Sequence, residues 1–527
     1  MSWQDEVDEI QRRRALALAH GGEEAIARHH ERGRRTIRER IEALADPGSF
    51  REAGPIAGHA EPPDESDAGA DTAAGAAPAR FTPANYVLGI AQVEGRPIAV
   101  GGEDFTQRGG SPTPAGLRKS VYAEELALRF RVPLVRFLEG GGGSVAGTAG
   151  KRGRGSGPSG DPVFAVSRFA SIAEVLRTVP VVSAALGAVA GLPAARLAAS
   201  HLAIMTRETS QVLIAGPAVV ERALGEKRTK QELGGSKVHA RSGVVDVVAD
   251  DEADVMRIVR RFLGYLPRSV AELPPRSATG DPPDRREESL LTIVPRERRQ
   301  IYKMRRIIDA LVDRASFFEM TAGYGRSQIV GLARLDGWPI GVFANDPAFY
   351  GGSMTAEGAQ KARRFIEFCD TFHLPIVALV DEPGFMIGSA AEAAGTIRYG
   401  VEAICATVRS QVPWASVLVR KTYGVAAAAH FGPRGEVFAW PSAEAGALPL
   451  EGGVAVAFRR EIEAAADPDA LRRELEERLA RGRSPFPRAE SFGVHDLIDP
   501  RDTRRRLCEW IGLARLGLED CVVRGVR

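Results

Sequence analysis

RVPLVRFLEGGGG at residues 131–143 and HLPIVALVDEPGF at residues 373–385 share one pattern, an apolar run followed by a glycine-containing turn. Each apolar run predicts a buried strand, and glycine permits the sharp backbone turn at its end. The two segments lie 242 residues apart, which aligns Pro133 with Pro375 and Glu139 with Asp381. The agreement indicates an internal repeat.

The repeat extends in both directions from this pair. The offset of 242 also aligns GRPIAVGGEDF at 95–105 with GWPIGVFANDP at 337–347. Further on the offset falls to 233 and aligns Gly191 with Gly424, with KRGRGSGPSG at 151–160 as the excess of the first half. Each half reads as strand, Gly-Gly loop, amphipathic helix, buried strand and glycine turn. This alternation predicts an α/β fold with mainly parallel sheets.

Composition and charge narrow the class of protein. Of the 527 residues, 44% are apolar and 26% charged, which is typical of a globular protein. The net charge of +2 does not favour nucleic acid or an anionic membrane as a partner. The sequence has no signal peptide pattern and no run of about 18 apolar residues. Four scattered cysteines suit a reduced compartment, so a cytoplasmic enzyme without zinc is expected.

Changes in composition predict the domain bounds. We expect a helical arm at 1–58, a first domain at 81–271, a linker at 272–288 and a second domain at 289–527. The stretch between arm and first domain has few bulky apolar residues and predicts a loop. The arm is rich in arginine, which indicates a solvated or intersubunit helix pair, or alternatively an anion site.

Two glycine turns in each half offer backbone N–H groups to a negatively charged oxygen. Gly140 to Gly143 follow the strand of the first half, although such a run also occurs as a flexible loop. The second turn of the other half leads into alanines, where the amides of Val425 and Ala426 are candidate donors. Its first-half counterpart places Pro193 opposite Ala426, and proline has no N–H to donate. Alternatively, the alanines serve only close helix packing.

Side chains offer no competing constellation. GxSxG, HExxH and GxxxxGK[ST] motifs are absent. Glu139 and Asp381 are expected to orient their turns, and His430 to be structural, with substrate contact as the alternative. The chain also lacks an Ala-Met-Lys-Met carrier motif and an ATP-binding loop.

Several long motifs occur in the order found in one family. They are RTIRERIEALADPGSF at 35–50, DFTQRGG at 104–110, KARRFIEFCDTFHLPIVALVDEPGFMIG at 361–388, RKTYGVAAAA at 420–429 and FAWPSAEAG at 438–446. With these motifs the sequence resembles the carboxyltransferase (β) subunits of biotin-dependent acyl-CoA carboxylases, of the propionyl-CoA and methylcrotonyl-CoA carboxylase type. The resemblance covers nearly the whole chain.

The resemblance implies tandem crotonase-like domains of ββα repeats and a site at a subunit interface of a hexamer. It implies transfer of CO2 from carboxybiotin to the α carbon, or vinylogous carbon, of an acyl-CoA. Biotin carboxylase and the biotin carboxyl carrier are expected on separate chains, coenzyme A is expected in the first domain and biotin in the second, and no metal is expected.

The resemblance also assigns roles to residues of the turns. Gly141 and Gly142 are expected to hold the thioester enolate, and Val425 and Ala426 the ureido oxygen of biotin. The remaining expected substrate- and cofactor-binding residues are Arg108, Gly109, Gly110, Gly143, Pro383, Gly384, Phe385, Gly424, Ala427 and Ala428.

Two departures from the family pattern affect these assignments. The first-half turn reads Glu-Gly-Gly-Gly-Gly in place of Asp-Ser-Gly-Gly-Ala, which allows a shift by one residue. Ala427 and Ala428 replace a tyrosine and an acid, so a larger or branched acyl chain would gain room. Three alternatives stay open: an acyl-CoA decarboxylase subunit, a biotin-free hydratase or isomerase, and a noncatalytic assembly subunit.

Overall fold

The computed structural model describes residues 2–61, 80–141, 169–298, 300–448, 450–481 and 484–523. Gly142 and Gly143 lie outside these ranges. The chain divides into two compact units, residues 1–263 and 264–527, and each is described by itself. No helix or strand occurs at the predicted linker before the turn at Glu288–Leu291. The domain bounds themselves stay a prediction.

The first unit begins with the predicted helical arm. The described helices of this unit are α1 (Gln4–Leu18), α2 (Glu23–His30), α3 (Ile37–Leu44), α4 (Pro114–Phe130), α5 (Phe169–Thr178), α6 (Leu192–Ala198), α7 (Pro217–Leu224), α8 (Lys230–Gly234), α9 (Ser236–Ser242) and α10 (Glu252–Gly264). Its described strands are β1 (Arg51–Glu52), β2 (Gly58–Glu61), β3 (Arg80–Pro83), β4 (Tyr86–Val93), β5 (Arg96–Glu103), β6 (Leu134–Gly140), β7 (Val181–Ala190), β8 (Leu202–Thr206), β9 (Gln211–Leu213) and β10 (Val247–Ala249).

These strands form one main sheet and a small ribbon. In the described residues the main sheet has eight strands in the order β1-β4-β5-β6-β7-β8-β10, and β9 pairs with β7. Pairs from β5 to β10 are parallel, whereas β1, β4 and β5 pair antiparallel. The ribbon joins β2 to β3, so both ends of the predicted loop are strands.

The second unit continues with the same kind of elements. Its described helices are α11 (Met304–Leu311), α12 (Ala356–Thr371), α13 (Ser389–Ala393), α14 (Thr396–Arg409), α15 (Leu450–Ala457), α16 (Arg459–Ala464), α17 (Pro468–Arg481), α18 (Phe486–Glu490) and α19 (Thr503–Val523). Its described strands are β11 (Phe318–Met320), β12 (Gln328–Leu335), β13 (Trp338–Asn345), β14 (Ile376–Glu382), β15 (Trp414–Tyr423), β16 (Glu436–Ala439), β17 (Glu444–Gly446) and β18 (Asp496–Leu497).

The two sheets confirm the repeat. The described part of the second sheet runs β11-β12-β13-β14-β15-β16-β18, with β17 paired to β15, which repeats the first strand order. Strands β4, β5 and β6 have the same lengths as β12, β13 and β14 at the offset of 242. Strands β7 and β9 match β15 and β17 at 233. The predicted α/β class of tandem ββα units is therefore confirmed.

A threonine cap starts the equivalent helix in each unit. Thr113 accepts a hydrogen bond from the Gly116 N–H (3.0 Å), and Thr355 accepts one from the Gly358 N–H (3.0 Å). Each threonine thereby satisfies an N–H that the first helical turn would leave unpaired. Gly116 is required because a Cβ there would lie 2.4 Å from Oδ1 of Asn85. The caps fix where α4 and α12 leave the Gly-Gly loops that precede them.

Candidate active site

The glycine turns of each unit lie at one edge of its sheet. In the first unit, Gly140 of β6 pairs with Val189 of β7. In the second unit, Glu382 of β14 pairs with Thr422 of β15. Since parallel strands end at the same edge, the turns that follow both strands of a pair lie side by side. Ligands of open α/β sheets bind at this carboxyl edge.

The Gly-Gly loop before α4 packs against the end of β6. Gly110 has φ +69°, and a Cβ there would lie 2.3 Å from the carbonyl oxygen of Glu139 and 2.8 Å from Cα of Gly140. Arg108 is exposed, with φ 53°, and Gly109 has φ +60°. Gly141 is exposed, and no atom of the described residues lies within 4 Å of where its Cβ would be. The structure thus brings Arg108, Gly109 and Gly110 to the strand end that leads to Gly141.

The second turn of the first unit contains the proline noted in the sequence. Gly191 has φ 67° and ψ −134° and precedes α6, whose first turn contains Pro193. Leu192 and Pro193 are buried. The first turn of a helix normally presents free N–H groups, but the ring nitrogen of Pro193 carries no proton. This turn therefore offers one donor fewer than its counterpart.

The counterpart in the second unit keeps both donors. Gly424 has φ 63° and ψ −164°, and a 3-10 helix begins at Val425. The side chain of Val425 is 64% exposed, whereas Ala426 is buried. The first amides of a helix have no intrahelical acceptor, and among the described residues no other carbonyl accepts from Val425 or Ala426. Within the described part of the chain, the N–H groups of Val425 and Ala426 thus have no backbone acceptor, and the Val425 side chain beside them is exposed.

The later residues of this helix differ in accessibility. Ala427 is buried and Ala428 is exposed. His430 is fully buried, and its ring stacks on Phe343 at a centroid distance of 4.5 Å. Burial lowers the pKa of His430 to about 3, so its ring is neutral at physiological pH. Burial and ring stacking favour the structural interpretation of His430, which stays a prediction.

The Pro383–Phe385 turn uses its own backbone groups internally. The Gly384 N–H donates to Oε1 of Glu382 (3.0 Å), and the Gly384 carbonyl accepts from the Met354 N–H (3.1 Å). A Cβ on Gly400 would lie 2.2 Å from the ring of Phe385, so Gly400 makes room for that ring. The turn therefore forms a wall beside the edge of the sheet. The Gly384 N–H is already engaged in a hydrogen bond to Glu382.

A buried polar network supports this wall. Asn345 donates from Nδ2 to Oε2 of Glu382 (2.9 Å) and to the Gly352 carbonyl (3.1 Å). Gln328 donates to the same carbonyl (3.3 Å). Glu382 also accepts from the Met354 N–H (3.3 Å), and burial raises its pKa to about 8. Sequence reasoning missed this network, since Gln328, Asn345 and Glu382 are 17 to 54 positions apart and only pairing of β12, β13 and β14 brings them together.

Asp381 orients the strand end, as the sequence suggested. It is fully buried and accepts from the Tyr302 hydroxyl (2.8 Å) and from the Lys421 N–H (3.0 Å). The guanidinium of Arg420 contacts it at 3.0 Å. Sequence reasoning did not identify Tyr302 or Arg420, although the offset of 233 places Arg420 opposite Gly187, a change of residue type that marked the position.

Two other kinds of functional feature are absent from the described residues. Within the described ranges, no three His, Cys, Asp or Glu side chains are close enough together to hold a metal ion. No helix in the described residues is long and apolar enough to cross a membrane.

Tandem ββα sheets with glycine turns at their carboxyl edges define a crotonase-like fold. Residues 28–516 match the family model of the carboxyl transferase domain, and the chain belongs to that family. It is 34% identical to the propionyl-CoA carboxylase carboxyltransferase subunit of Haloferax mediterranei, over 96% of this chain and 95% of that protein.

Solved structures agree with this membership. A transcarboxylase 12S structure, described as a hexamer with methylmalonyl-CoA and methylmalonic acid bound, has a TM-score of 0.84, 31% identity, and coverage of 98% of this chain and 96% of that one. A single-chain, multi-domain long-chain acyl-CoA carboxylase has a TM-score of 0.79 and 31% identity, covering 97% of this chain and 48% of that one. The predicted class, an acyl-CoA carboxylase carboxyltransferase subunit, is confirmed.

Proposed function

We propose that this chain transfers CO2 from carboxybiotin on a separate carrier chain to the α carbon, or vinylogous carbon, of an acyl-CoA. The observation that carries the proposal is the pair of free amides at Val425 and Ala426, beside an open strand end. Pro193 removes one of the equivalent donors from the first unit. The turn at residues 424–428 and its first-unit counterpart at residues 191–193 thus differ in the N–H groups that they offer, which suits them to different oxyanions.

The turn that follows β6, at residues 140–143, fits an acyl thioester and is called the first-unit turn below. Gly141 has no side chain, and no atom of the described residues occupies the place of its Cβ, so a thioester oxygen could approach its backbone closely. Gly142 and Gly143 complete the proposed enolate hole as a prediction from the sequence. Exposed Arg108 beside this turn suits a phosphate of coenzyme A.

The turn that follows β15, at residues 424–428, fits the ureido group of biotin and is called the second-unit turn below. The N–H groups of Val425 and Ala426 would donate to the ureido oxygen, and Gly424 keeps their approach free of a side chain. Pro383, Gly384 and Phe385 would flank the bicyclic ring, and the exposed Ala428 and buried Ala427 would border it. Backbone donors placed in advance cost no reorganisation when charge develops on the oxygen.

The chain's own groups supply stabilisation of charge. Carboxybiotin, when bound, supplies the CO2 group. An amide donor aimed at the developing oxyanion contributes roughly 100- to 1000-fold in rate. The titratable side chains next to the second-unit turn, Asp381 and Glu382, are buried and engaged with the backbone. They support the turn rather than reach a substrate.

Separate chains are proposed to provide biotin carboxylase and the biotin carboxyl carrier. This chain corresponds to 48% of the single-chain long-chain acyl-CoA carboxylase, which leaves the rest of that protein without a counterpart here. A hexamer is proposed by analogy with the transcarboxylase 12S structure. Alanines at 427 and 428 lead us to propose an acyl chain larger or more branched than propionyl.

Carboxyl transfer to free biotin tests the function directly. The purified chain is given methylmalonyl-CoA or malonyl-CoA with biotin, and loss of the carboxylated thioester is followed with and without biotin. We expect biotin-dependent turnover. In the forward direction, acetyl-, propionyl-, butyryl-, methylcrotonyl- and geranyl-CoA are compared with the partner subunits present.

The possible outcomes separate the alternatives. Absence of biotin-dependent turnover from every carboxylated thioester would favour a noncatalytic assembly subunit. Biotin-independent hydration or isomerisation of an enoyl-CoA would favour the biotin-free reading. A highest specificity constant for propionyl-CoA would reject the larger acyl chain while leaving carboxyl transfer intact.

A further inference from the structure

We infer that the N-terminal arm positions the first-unit turn: Arg34 and Arg40 are positioning residues that hold Glu139, and through it Gly140 and Gly141. The inference rests on the proposed role of this turn as a hole for the thioester oxygen. It adds a function for the arm, which the sequence presented as a solvated or intersubunit helix pair, or an anion site.

The contacts to Glu139 are short and shielded from water. Its side chain is fully buried, and Nη1 of Arg34 lies 2.9 Å from Oε1. Nη1 of Arg40 lies 2.7 Å from Oε2, with only 1% of the Arg40 side chain exposed. His29 lies 3.5 Å from the same oxygen, but burial lowers its pKa. The two arginines are therefore the charges that balance this carboxylate.

Both arginines are fixed at a second point of the same unit. Arg40 donates to both carboxylate oxygens of Glu252 on α10, at 2.7 and 3.1 Å. Arg34 donates from Nη2 to the Thr209 carbonyl at 2.8 Å. Each guanidinium thus bridges two elements, and planar guanidinium groups hold such geometry better than a flexible ammonium. The arm is clamped between the strand end and the body of the unit.

The second unit holds the equivalent acid with a cation from a different element. In the second unit, Arg420 on β15 pairs with Asp381. The offset of 233 places Gly187 of β7 at the position of Arg420, and a Cβ there would lie 2.3 Å from Oε1 of Glu139. Compared with the second unit, the first unit has glycine at this strand position and an acid longer by one methylene. The cations that contact this acid come from the arm.

The backbone of Glu139 transmits this constraint to the turn. Its N–H donates to Oε2 of Glu103 (3.3 Å), and its carbonyl oxygen lies against Gly110. Gly140 follows directly and has no side chain of its own to fix it. Loss of an arginine would therefore displace the residue that aims the turn, and a misplacement of about 1 Å can cost about 100-fold in rate.

Arg34→Gln is the test variant, with Arg38→Gln as its matched control. Loss of Arg34 leaves Glu139 in contact with Arg40, whereas loss of Arg40 would also remove the guanidinium bound to Glu252. Arg38 lies on the same arm, but pairs with Glu52 at 2.8 Å and has no contact with Glu139. Carboxyl transfer and amide hydrogen exchange of the peptide spanning residues 134–141 are measured on the full chain.

We expect Arg34→Gln to lower kcat about 10- to 100-fold with KM for the acyl-CoA within about threefold, because the donors act on the transition state. Exchange in residues 134–141 rises several-fold, Arg38→Gln matches the unmodified chain, and Arg34→Lys recovers part of both. If Arg34→Gln equals Arg38→Gln in kcat and exchange, the inference is wrong. An inactive unmodified chain would instead reject the proposed function, while the exchange comparison still tests the arm.

Discussion

The buried carboxyl of Glu382, next to the Pro383–Phe385 turn, has an environment very different from that of an exposed carboxyl. Its partners are uncharged donors, namely Asn345 and the amides of Met354 and Gly384, and the charged group beside it is Asp381. Burial therefore raises its pKa from 4.5 to about 8. A proton is held inside the fold at neutral pH.

This proton links stability to pH. Between pH 4.5 and about 8 the unfolded chain releases the proton and the folded chain keeps it, so the free energy of unfolding falls as pH rises and then levels off. Glutamine at position 382 cannot ionise. We predict that the Tm of Glu382→Gln rises relative to the unmodified chain from pH 5 to 8, equivalent to a few kcal/mol at most.

Thermal unfolding at half-unit pH steps measures this difference. Glu357→Gln, at an exposed position of the same unit, provides the control. A constant difference for Glu382→Gln across the range would mean that Glu382 is ionised in the fold at neutral pH.

The Gly-Gly loops are elements defined by contact as much as by backbone conformation. Gly109 and Gly110 both have positive φ, but only Gly110 lies against another chain segment. A Cβ on Gly109 would be 4.0 Å from its nearest atom, whereas one on Gly110 would be 2.3 Å from the Glu139 carbonyl. The two glycines thus separate backbone strain from steric overlap within one turn.

Alanine at each position is predicted to give different losses. Gly109→Ala should cost about 1–2 kcal/mol of unfolding free energy for its left-handed backbone. Gly110→Ala should cost about 1–3 kcal/mol more, since the end of β6 must move. Urea unfolding of the full chain measures both, and equal losses would show that the loop does not press on the strand end.

The sequence predicted elements better than the contacts between them. The offsets of 242 and 233 located β4 to β7 and their counterparts, because equal spacing requires equal strand and helix lengths. The cations that hold Glu139 and Asp381 could not be read in this way. Asp381 is contacted by a cation of the neighbouring strand, whereas Glu139 is contacted by cations of the arm. No periodicity in the sequence indicates which distant side chain will contact a buried carboxylate.

At the scale of the whole molecule, one architecture occurs twice in the chain. Both units keep the sheet order and the turns at the carboxyl edge. They differ where Pro193 stands for Ala426, Gly187 for Arg420 and Gly140 for Glu382. These differences lie at one turn and at strand residues next to the turns, whereas the strands keep their lengths. We interpret the asymmetry as the basis for binding an acyl thioester in one unit and biotin in the other.

Proline at position 426 tests this central claim most directly. The repeat shows that the equivalent helical turn accepts proline, so Ala426→Pro should remove the N–H while keeping the turn. We predict a roughly 100- to 1000-fold loss of kcat in biotin-dependent carboxyl transfer, with Ala426→Gly, which keeps the N–H, within about tenfold of the unmodified chain. Transfer by a folded Ala426→Pro chain at the rate of Ala426→Gly would contradict the account.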